Sequence, residues 1–457
     1  MAHFAIVCPE DTSHVLTIGP LGKELVERGH RVTVVAPVGA APVAEQFDLP
    51  LHPIDGYEMP YHADFPAWLA FRLCGAQQLI ELRSWLRWYA EMILRLVPPA
   101  LSELAVDGVL VDQTIPAGGS AAERVGVPFV TICTALLWNE DVNVPPPFTA
   151  WPYASDSWGR RRNRLGYAGW HWFIRPILDL INRYRKRWRL PRLPTIEDAF
   201  SPLAQVSQLC AEFDFPRCHL PDVFHYVGSL AAKRRLKTER PFPWERLDGR
   251  PLIFASLGTV PDTDNLPVFR RILAACAGID AQLVLALGAW DDEDEPVRGK
   301  LREIPANALV VDFAPQQALL DRAALLITHA GVNTVLESLS RAVPMVALPR
   351  SADQLGMGSR IAQAGVGLLG SFRHSTAWQI RELVQRALAE ETFRKRAQEM
   401  QGVLAAAGGA HRAADIAEEA LLTRRPVRRL DAGGLPTDRP STPGPAYSRD
   451  VGSLRKG

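Results

Sequence analysis

The N-terminal part of the chain alternates short apolar runs with segments of helical character. The run HFAIVC (3–8) is followed by the loop PEDTSH, by a helical segment at about 15–28, and by RVTVVAP (31–37). Gly29 is placed to end the helix. Short apolar runs that alternate with helices are typical of parallel strands joined by crossover helices. The pattern therefore predicts an α/β fold with a parallel sheet.

The same alternation continues along the chain and starts again after a break. It recurs at 107–133, and a second series begins with PLIFASLGT (251–259). The other strands of the second series are predicted at 281–287, 308–313, 324–329 and 343–349, with three helical segments across 375–424. Two such series predict two Rossmann-like, doubly wound domains that face each other across a cleft.

Composition shifts mark the expected domain boundaries. We assign 1–230 to an N-terminal domain and 251–424 to a C-terminal domain, joined by a linker rich in Pro and charge at 231–250. Residues 425–457 contain five Gly and five Pro without apolar periodicity, which predicts a disordered tail. Ligands of doubly wound domains bind at the carboxyl ends of the strands, so we expect the site in the cleft.

The overall charge and the cysteines exclude several classes of protein. A formal net charge of +1 gives no global field toward nucleic acid or membranes. The six cysteines are scattered and form no C-x-x-C pair, which argues against a disulfide framework or a zinc site. The chain opens on a strand-like run, and no uncharged apolar run approaches the length of a bilayer. We therefore expect a cytoplasmic protein.

The stretch THAGVNTVLES (328–338) predicts a helix that begins directly after a strand. Its apolar residues recur at helical spacing, whereas His329, Asn333 and Glu337 fall on a different stripe. Free N–H groups at a helix N-terminus bind anions, and the stretch therefore suits a diphosphate. Thr334 and Glu337 also fit a capping box, S/T-x-x-E. The spacing alone leaves both interpretations open.

Three motifs follow one another in the second series: FAPQQALL (313–320), THAGVNTVLES and ALPRSADQ (347–354). Together they resemble the nucleotide-binding signature of family-one UDP-dependent glycosyltransferases, which share the two-domain GT-B fold. The similarity runs from about residue 3 to 424. It implies an enzyme that needs no cofactor and takes a UDP-sugar as its co-substrate.

The resemblance assigns donor-site roles to ten residues. It implies that Phe313 stacks on uracil, where relatives usually have a larger Trp, and that Gln316 lies near the base and ribose. It places His329, Gly331, Asn333 and Thr334 at the diphosphate, Glu337 at the ribose diol, Asp353 and Gln354 at the sugar hydroxyls, and Thr259 near the phosphates. Because a deoxyribose lacks one hydroxyl, Glu337 favours a UDP donor.

Two residues of the N-terminal domain match the catalytic groups of that family. His14, in SHVLTI, lies in the place of the catalytic base, although relatives commonly have Gly-His there, with Asn-Pro shortly after. Asp112, which ends GVLVD, matches the supporting carboxylate. A solvated loop histidine and a helix N-cap are the alternative interpretations. The implied reaction is an inverting transfer in which His14 deprotonates an acceptor hydroxyl.

Two acidic strings, DTD (262–264) and DDEDE (291–295), have spacing that could suit a metal. We interpret the first as a helix start and the second as a charged surface loop. Stabilisation of the leaving diphosphate by a helix N-terminus would make a metal unnecessary. We therefore expect no catalytic metal.

The acceptor half of the chain is aromatic and locally basic. Residues 160–192 hold eleven Lys or Arg and one acid, and nine of the twelve Trp lie between 68 and 188. A solvated basic helix face and a membrane-surface patch both fit, whereas no motif supports nucleic-acid binding. We expect a lipophilic small-molecule acceptor and peripheral contact with the inner membrane face through 160–192.

A second resemblance narrows the acceptor. FSPLAQVSQLCAEFDFPRCHLPDVFHYVGSL (200–230) and IFASLGT (253–259) are similar to the carotenoid branch of the family, the zeaxanthin glucosyltransferases. This similarity implies glucosylation of a hydroxylated carotenoid. Other lipophilic acceptors (a sterol, polyketide, macrolide or phenol), a UDP-sugar epimerase and a non-catalytic nucleotide-binding subunit remain as alternatives.

Overall fold

Two α/β domains, each built on one parallel sheet, make up the described chain. The computed structural model describes residues 1–55, 76–231, 241–258, 265–288, 297–301 and 303–429. The two-domain fold predicted from the alternating pattern is confirmed. Within these ranges, no helix is long and apolar enough to cross a membrane.

The N-terminal sheet has seven strands: β1 (His3–Val7), β2 (Arg31–Ala36), β3 (Leu51–Pro53), β4 (Gly108–Asp112), β5 (Phe129–Cys133), β6 (Gln205–Ser207) and β7 (Phe224–Tyr226). Their order is β3-β2-β1-β4-β5-β6-β7, and all neighbours are parallel. The central strands β1, β4 and β5 are buried along their whole length, because helices cover both faces of the sheet.

The helices of this half are α1 (Thr12–Glu27), α2 (Ala41–Ala44), α3 (Ala76–Leu104), α4 (Ala117–Arg124) and α5 (Ser157–Trp188). Helix α1 begins three residues before the predicted start. The carbonyl of Asp11 accepts from the N–H groups of His14 and Val15, at 2.9 and 3.3 Å. Helical bonding therefore precedes the apolar periodicity, and His14 lies in the first helical turn rather than in the loop.

The C-terminal sheet repeats this topology with six strands: β8 (Leu252–Ser256), β9 (Gln282–Ala286), β10 (Ala308–Val311), β11 (Ala323–Thr328), β12 (Met345–Ala347) and β13 (Gly367–Leu369). Their order is β10-β9-β8-β11-β12-β13, again all parallel. The strand order reverses between β1 and β4 in one sheet and between β8 and β11 in the other. Ligands of such sheets bind at these reversal points.

Six helices accompany the second sheet: α6 (Leu266–Cys276), α7 (Gln316–Leu320), α8 (Val332–Leu339), α9 (Asp353–Gln363), α10 (Ala377–Ala389) and α11 (Glu391–Ala406). Leu136, Leu209 and Phe213 of the N-terminal half belong to the same buried cluster as the residues beneath α8 and α9. The two domains therefore share part of one apolar core.

The last helix, α12 (Gly409–Thr423), packs on the N-terminal domain. A Cβ atom at Gly108 would come within 2.9 Å of the Leu421 side chain, and α12 shares the core of the N-terminal sheet. This differs from the expected assignment of 251–424 to one domain. The first tail residues are also ordered there, since Val427 donates to the Leu203 carbonyl at 2.8 Å. The rest of the predicted tail, 430–457, lies outside the described residues.

Candidate active site

His14 and Asp112 meet at the point where the strand order of the N-terminal sheet reverses. His14 lies in the helix after β1, and Asp112 is the last residue of β4. Nδ1 of His14 donates to Oδ2 of Asp112 at 2.8 Å. Asp112 is fully buried, whereas the His14 side chain keeps 19% of its surface exposed. The remaining nitrogen, Nε2, is therefore the one left for a ligand in the cleft.

Two threonines that the motifs did not single out hold the Asp112 carboxylate. The hydroxyl of Thr134 donates to Oδ2 at 2.8 Å, and this hydroxyl oxygen lies 3.0 Å from Nδ1 of His14. Thr114 donates to Oδ1 through both its hydroxyl and its backbone N–H. Thr114 follows Asp112 by two residues, which is the spacing of an Asx turn, so this contact can be predicted from the sequence. Thr134 directly follows β5, so its contact with Asp112 depends on the pairing of β5 with β4.

The charges around His14 shift its proton equilibrium. Burial opposes the charged imidazole, but Asp112, with smaller contributions from Asp11 and Asp353, outweighs it and raises the pKa of His14 to about 9. Burial likewise opposes the charged carboxylate of Asp112, yet His14 and Thr114 lower its pKa. The pair therefore rests as imidazolium and carboxylate near neutral pH. Asp353 belongs to the other domain, so the two halves interact electrostatically at this histidine.

His329 and Gly331 occupy the corresponding reversal point of the C-terminal sheet. A Cβ atom at Gly331 would lie 2.7 Å from Nε2 of His329, so only glycine lets the imidazole lie across the start of α8. Burial lowers the pKa of His329 to about 4, against the contact with the Ser256 backbone. The ring is therefore neutral at pH 7. Among the described residues, its buried Nδ1 has no hydrogen-bond partner.

The N-terminus of α8 leaves backbone donors available. Its N-cap is Gly331, which supplies no side-chain cap, and the first helical bond runs from the Val335 N–H to the Gly331 carbonyl at 3.0 Å. The N–H groups of Val332, Asn333 and Thr334 therefore lack helical acceptors. Thr334 is the third residue of the helix rather than its cap, so the capping-box interpretation is wrong.

Glu337 is held by two glutamines from the start of α7. Gln316 donates to Oε2 at 2.7 Å and Gln317 to Oε1 at 3.0 Å. Only 7% of the Glu337 surface remains exposed. Gln317 was not among the predicted site residues, although it follows Gln316 directly. The two amides therefore hold both oxygens of the Glu337 carboxylate in place.

Asn333 connects the two domains through its side chain. Its amide donates to the Ser13 carbonyl at 2.9 Å, and its oxygen accepts from Thr17 at 2.8 Å and from Gln208 at 3.2 Å. All three partners belong to the N-terminal domain. What Asn333 retains for a phosphate is therefore its backbone N–H. Thr17 and Gln208 gave no sequence signal, because their partner is more than 100 residues away.

The start of α9 lies against the N-terminal domain. Burial raises the pKa of Asp353, opposed by the Leu136 backbone and the charge of His14. Gln354 accepts through Oε1 from the N–H groups of Arg350 and Ser351. Ala352, just before them, has a φ of 53° and a ψ of −138°, a strained conformation for a residue with a side chain. This strain sits where the chain presents Asp353 and Gln354.

Helix α9 is also attached to the N-terminal domain by a buried charge cluster. Nε of Arg360 donates to Asp214 at 2.7 Å, and Arg217 and Tyr226 donate to the other oxygen of that carboxylate, each at 2.7 Å. Burial alone would raise the pKa of Asp214, but the two arginines hold it well below its usual range. Asp214 belongs to the CAEFDFPR motif, whose structural role the sequence did not reveal.

A small apolar cavity of about 20 Å³ lies next to the His14–Asp112 pair, since Thr114, which donates to Asp112, is part of its lining. Its lining includes Leu86 and Tyr89 of α3, Trp138, and Ile174 and Ile177 of α5, together with residues 114–116. Tyr89 is 6% exposed, and its hydroxyl has no hydrogen-bond partner among the described residues. The pocket therefore combines apolar walls with one unsatisfied hydroxyl.

Phe313 and Thr259 are the last two residues predicted for the donor site. Phe313 is half-buried and directly precedes the segment that carries Gln316 and Gln317. Thr259 lies outside the described residues, as do the acidic strings at 262–264 and 291–295. Among the residues that are described, no group of three His, Cys, Asp or Glu could hold a metal ion.

Solved structures match this architecture over almost the whole chain. The calicheamicin glycosyltransferase superimposes with a TM-score of 0.69 at 22% identity and covers 93% of this chain and 99% of its own. The kitacinnamycin glycosyltransferase does so with a TM-score of 0.70 at 20% identity, covering 92% and 98%. The fold, with its site between two facing Rossmann-like domains, is that of the GT-B glycosyltransferases.

Sequence relatives define the family. Residues 270–419 match the C-terminal domain of erythromycin biosynthesis protein CIII-like proteins. The chain is 35% identical to the zeaxanthin glucosyltransferase of Pantoea ananas over 448 residues, which is 96% of this chain and 100% of the relative. It is 33% identical to that of Pseudescherichia vulneris, over 92% and 98%. The chain belongs to the family of UDP-dependent glycosyltransferases, and it is an enzyme of that class.

Proposed function

We propose that this glycosyltransferase transfers glucose from UDP-glucose to a hydroxyl of a carotenoid such as zeaxanthin, with inversion at the anomeric carbon. The observation that carries the proposal is the arrangement across the cleft. The His14–Asp112 pair of one domain faces Asp353 and the start of α8 on the other, closely enough for Asp353 to contribute to the pKa of His14.

The chemical step follows from the atoms that remain free. Nε2 of neutral His14 takes the proton of the acceptor hydroxyl while that oxygen bonds to the anomeric carbon. The bond between this carbon and the diphosphate oxygen breaks, and UDP leaves with the electron pair. Asp112 stabilises the imidazolium. The backbone N–H groups at the start of α8 and the imidazole of His329 meet the growing charge on the diphosphate.

The donor proposal rests on the two ends of the C-terminal site. Glu337, oriented by Gln316 and Gln317, suits the two hydroxyls of a ribose, and Phe313 suits the base. His329, Gly331, Asn333 and Thr334 would bind the diphosphate. The family resemblance adds Thr259, which lies outside the described residues, as a residue near the phosphates. Asp353 and Gln354 would bind the sugar. One structural neighbour is a glycosyltransferase in complex with DTDP, so a comparison of uridine and thymidine donors tests the role of Glu337.

The acceptor proposal rests on the apolar pocket and on the relatives. A polyene with a hydroxylated end ring needs apolar walls and one polar partner near the base. The lining of the cavity supplies apolar walls, but at about 20 Å³ the cavity is smaller than an end ring, so the ring must displace these side chains on binding. Tyr89 supplies a hydroxyl that has no hydrogen-bond partner among the described residues. The two zeaxanthin glucosyltransferases cover almost the whole chain. We place the enzyme in the cytoplasm, in peripheral contact with the membrane that holds the acceptor.

Another lipophilic acceptor is the second candidate. A demethyllactenocin mycarosyltransferase of Streptomyces fradiae is 27% identical over 92% of this chain. A polyketide acceptor would use the same pocket and the same base. A non-catalytic subunit is disfavoured because the hydrogen-bonded His14–Asp112 pair is intact.

A donor-by-acceptor screen tests the proposal. Purified enzyme with UDP-glucose and zeaxanthin in liposomes should give mono- and diglucosides detectable by mass spectrometry. His14→Ala should lose nearly all transfer, by about 10²- to 10⁴-fold, and still bind UDP. Good turnover of a soluble phenol or macrolide without carotenoid product would refute the acceptor. Wild-type turnover in His14→Ala would remove this residue as the base.

A further inference from the structure

The outward face of α5 carries large apolar side chains. Trp158, Leu165 and Trp172 are 72%, 70% and 60% exposed. They are seven residues apart, so they lie in one line that extends about 21 Å along the helix. Among the described residues, six large apolar side chains are at least 60% exposed, and three of them form this line. Single exposed apolar residues are normal, whereas an aligned set indicates an interaction surface.

Arginines flank this line. Arg161, Arg164 and Arg175 are exposed on the same side of α5, and the one acid among them is Asp179, which lies 3.6 Å from Arg175. Further along the helix, Arg183 and Lys186 are also exposed. A surface of Trp, Leu and Arg complements a bilayer of anionic lipids, since Trp settles at the interface and each Arg is attracted by the headgroups.

The opposite face of the same helix borders the apolar pocket. Ile174 and Ile177 line that pocket together with Tyr89, and they belong to the buried core beneath α5. One helix therefore separates the site next to Asp112 from the exposed Trp–Leu line. A surface that rests on lipid would bring the pocket to an acceptor dissolved in the membrane.

We infer that the line formed by Trp158, Leu165 and Trp172, with Arg161, Arg164 and Arg175, is the surface by which the enzyme docks on anionic phospholipid bilayers. Its purpose, delivery of a membrane-dissolved acceptor, rests on the proposed function. The docking itself depends only on the chemistry of α5. The partner is the lipid surface, and self-association through this line is the competing outcome.

Vesicle co-sedimentation without any acceptor tests the docking. The full-length enzyme should bind vesicles that contain phosphatidylglycerol, more weakly at high salt, and bind neutral phosphatidylcholine vesicles much less. Trp158→Ser/Leu165→Ser/Trp172→Ser and, separately, Arg161→Gln/Arg164→Gln/Arg175→Gln should each lower the partition coefficient about tenfold or more. Trp378→Ser is the matched control, because Trp378 is 69% exposed on α10 of the other domain. This variant should bind like the wild type.

The outcomes separate docking from catalysis. The inference would be overturned if the wild type did not bind vesicles, or if the triple variant at Trp158, Leu165 and Trp172 (the Trp–Leu variant) bound them equally well. A wild-type dimer that the same variant converts to a monomer without loss of vesicle binding would also overturn it. Equal binding of the wild type to neutral and anionic vesicles would overturn the role of the three arginines and the assignment of anionic lipid as the partner. If vesicles bind but no lipophilic acceptor is glycosylated, the proposed function fails and the docking surface stands.

Discussion

At the scale of single residues, the His14–Asp112 pair makes the reaction sensitive to pH. In its proposed role as the base, His14 acts only as neutral imidazole, and its pKa is raised to about 9. We therefore expect transfer to slow about tenfold for each unit that the pH falls below this value. Asp112→Asn removes the charge that holds the proton, so the acidic limb of the profile should move toward pH 6.5 while the plateau falls. Profiles of kcat/KM against pH measure both effects, and an unchanged limb in Asp112→Asn would contradict this pairing.

Tyr89 offers a second test at this scale. Its buried hydroxyl has no hydrogen-bond partner among the described residues, so Tyr89→Phe should leave stability unchanged or slightly higher. Transfer to a hydroxylated acceptor should fall by up to about tenfold, with UDP affinity intact. The hydroxyl of Tyr184 bonds to Arg95 at 2.9 Å, so Tyr184→Phe should instead lower the melting temperature. Full activity in Tyr89→Phe would exclude this hydroxyl from acceptor binding.

At the scale of elements, α9 depends on the N-terminal domain for its position. Asp214→Asn leaves Arg217 and Arg360 without their buried counter-charge, which typically costs about 3–5 kcal/mol. If α9 carries the sugar ligands Asp353 and Gln354 as we propose, the affinity for UDP-glucose should fall severalfold, whereas the affinity for UDP alone should hold. Calorimetric titration of both ligands distinguishes these effects.

A control for this prediction comes from an exposed ion pair. Arg396 and Glu399 lie 2.7 Å apart on α11 and are each 63% exposed. Glu399→Gln should change neither stability nor ligand affinity, because exposed pairs contribute little. Equal loss of UDP and UDP-glucose affinity in Asp214→Asn would indicate general unfolding instead of a displaced α9.

At the scale of the whole molecule, α12 makes the N-terminal domain dependent on the end of the chain. Leu421 is 2% exposed against the N-terminal sheet, whereas its neighbour Leu422 is 54% exposed. Leu421→Ala should cost about 2–5 kcal/mol of unfolding free energy. Leu422→Ala should stay within about 0.5 kcal/mol. Urea unfolding compares the two variants, and similar midpoints would contradict the packing of α12 on this domain.

The fold class follows from local patterns in the sequence, and the structure confirms it. Strand and helix periods are local, so βαβ repetition predicts both sheets. The ends of β4 and β11 place Asp112 and His329 at the carboxyl edges of their sheets. Three ordered motifs predict a donor site in the C-terminal domain, because the spacing of glycine and polar residues at a helix start is a local property too. The first turn of α1 was missed, since its bonding begins before any apolar residue.

Contacts between residues that are distant in the sequence depend on the tertiary structure. Thr134 reaches Asp112 from the next strand, Asp214 neutralises Arg360 across 146 positions, and Asn333 binds Ser13 across 320. The assignment of α12 to the N-terminal domain has the same origin. Packing between elements depends on three-dimensional proximity, which local periodicity does not encode. The sequence of such a chain therefore predicts its sheets, its helices and its candidate donor motifs. The contacts between its domains depend on the folded structure.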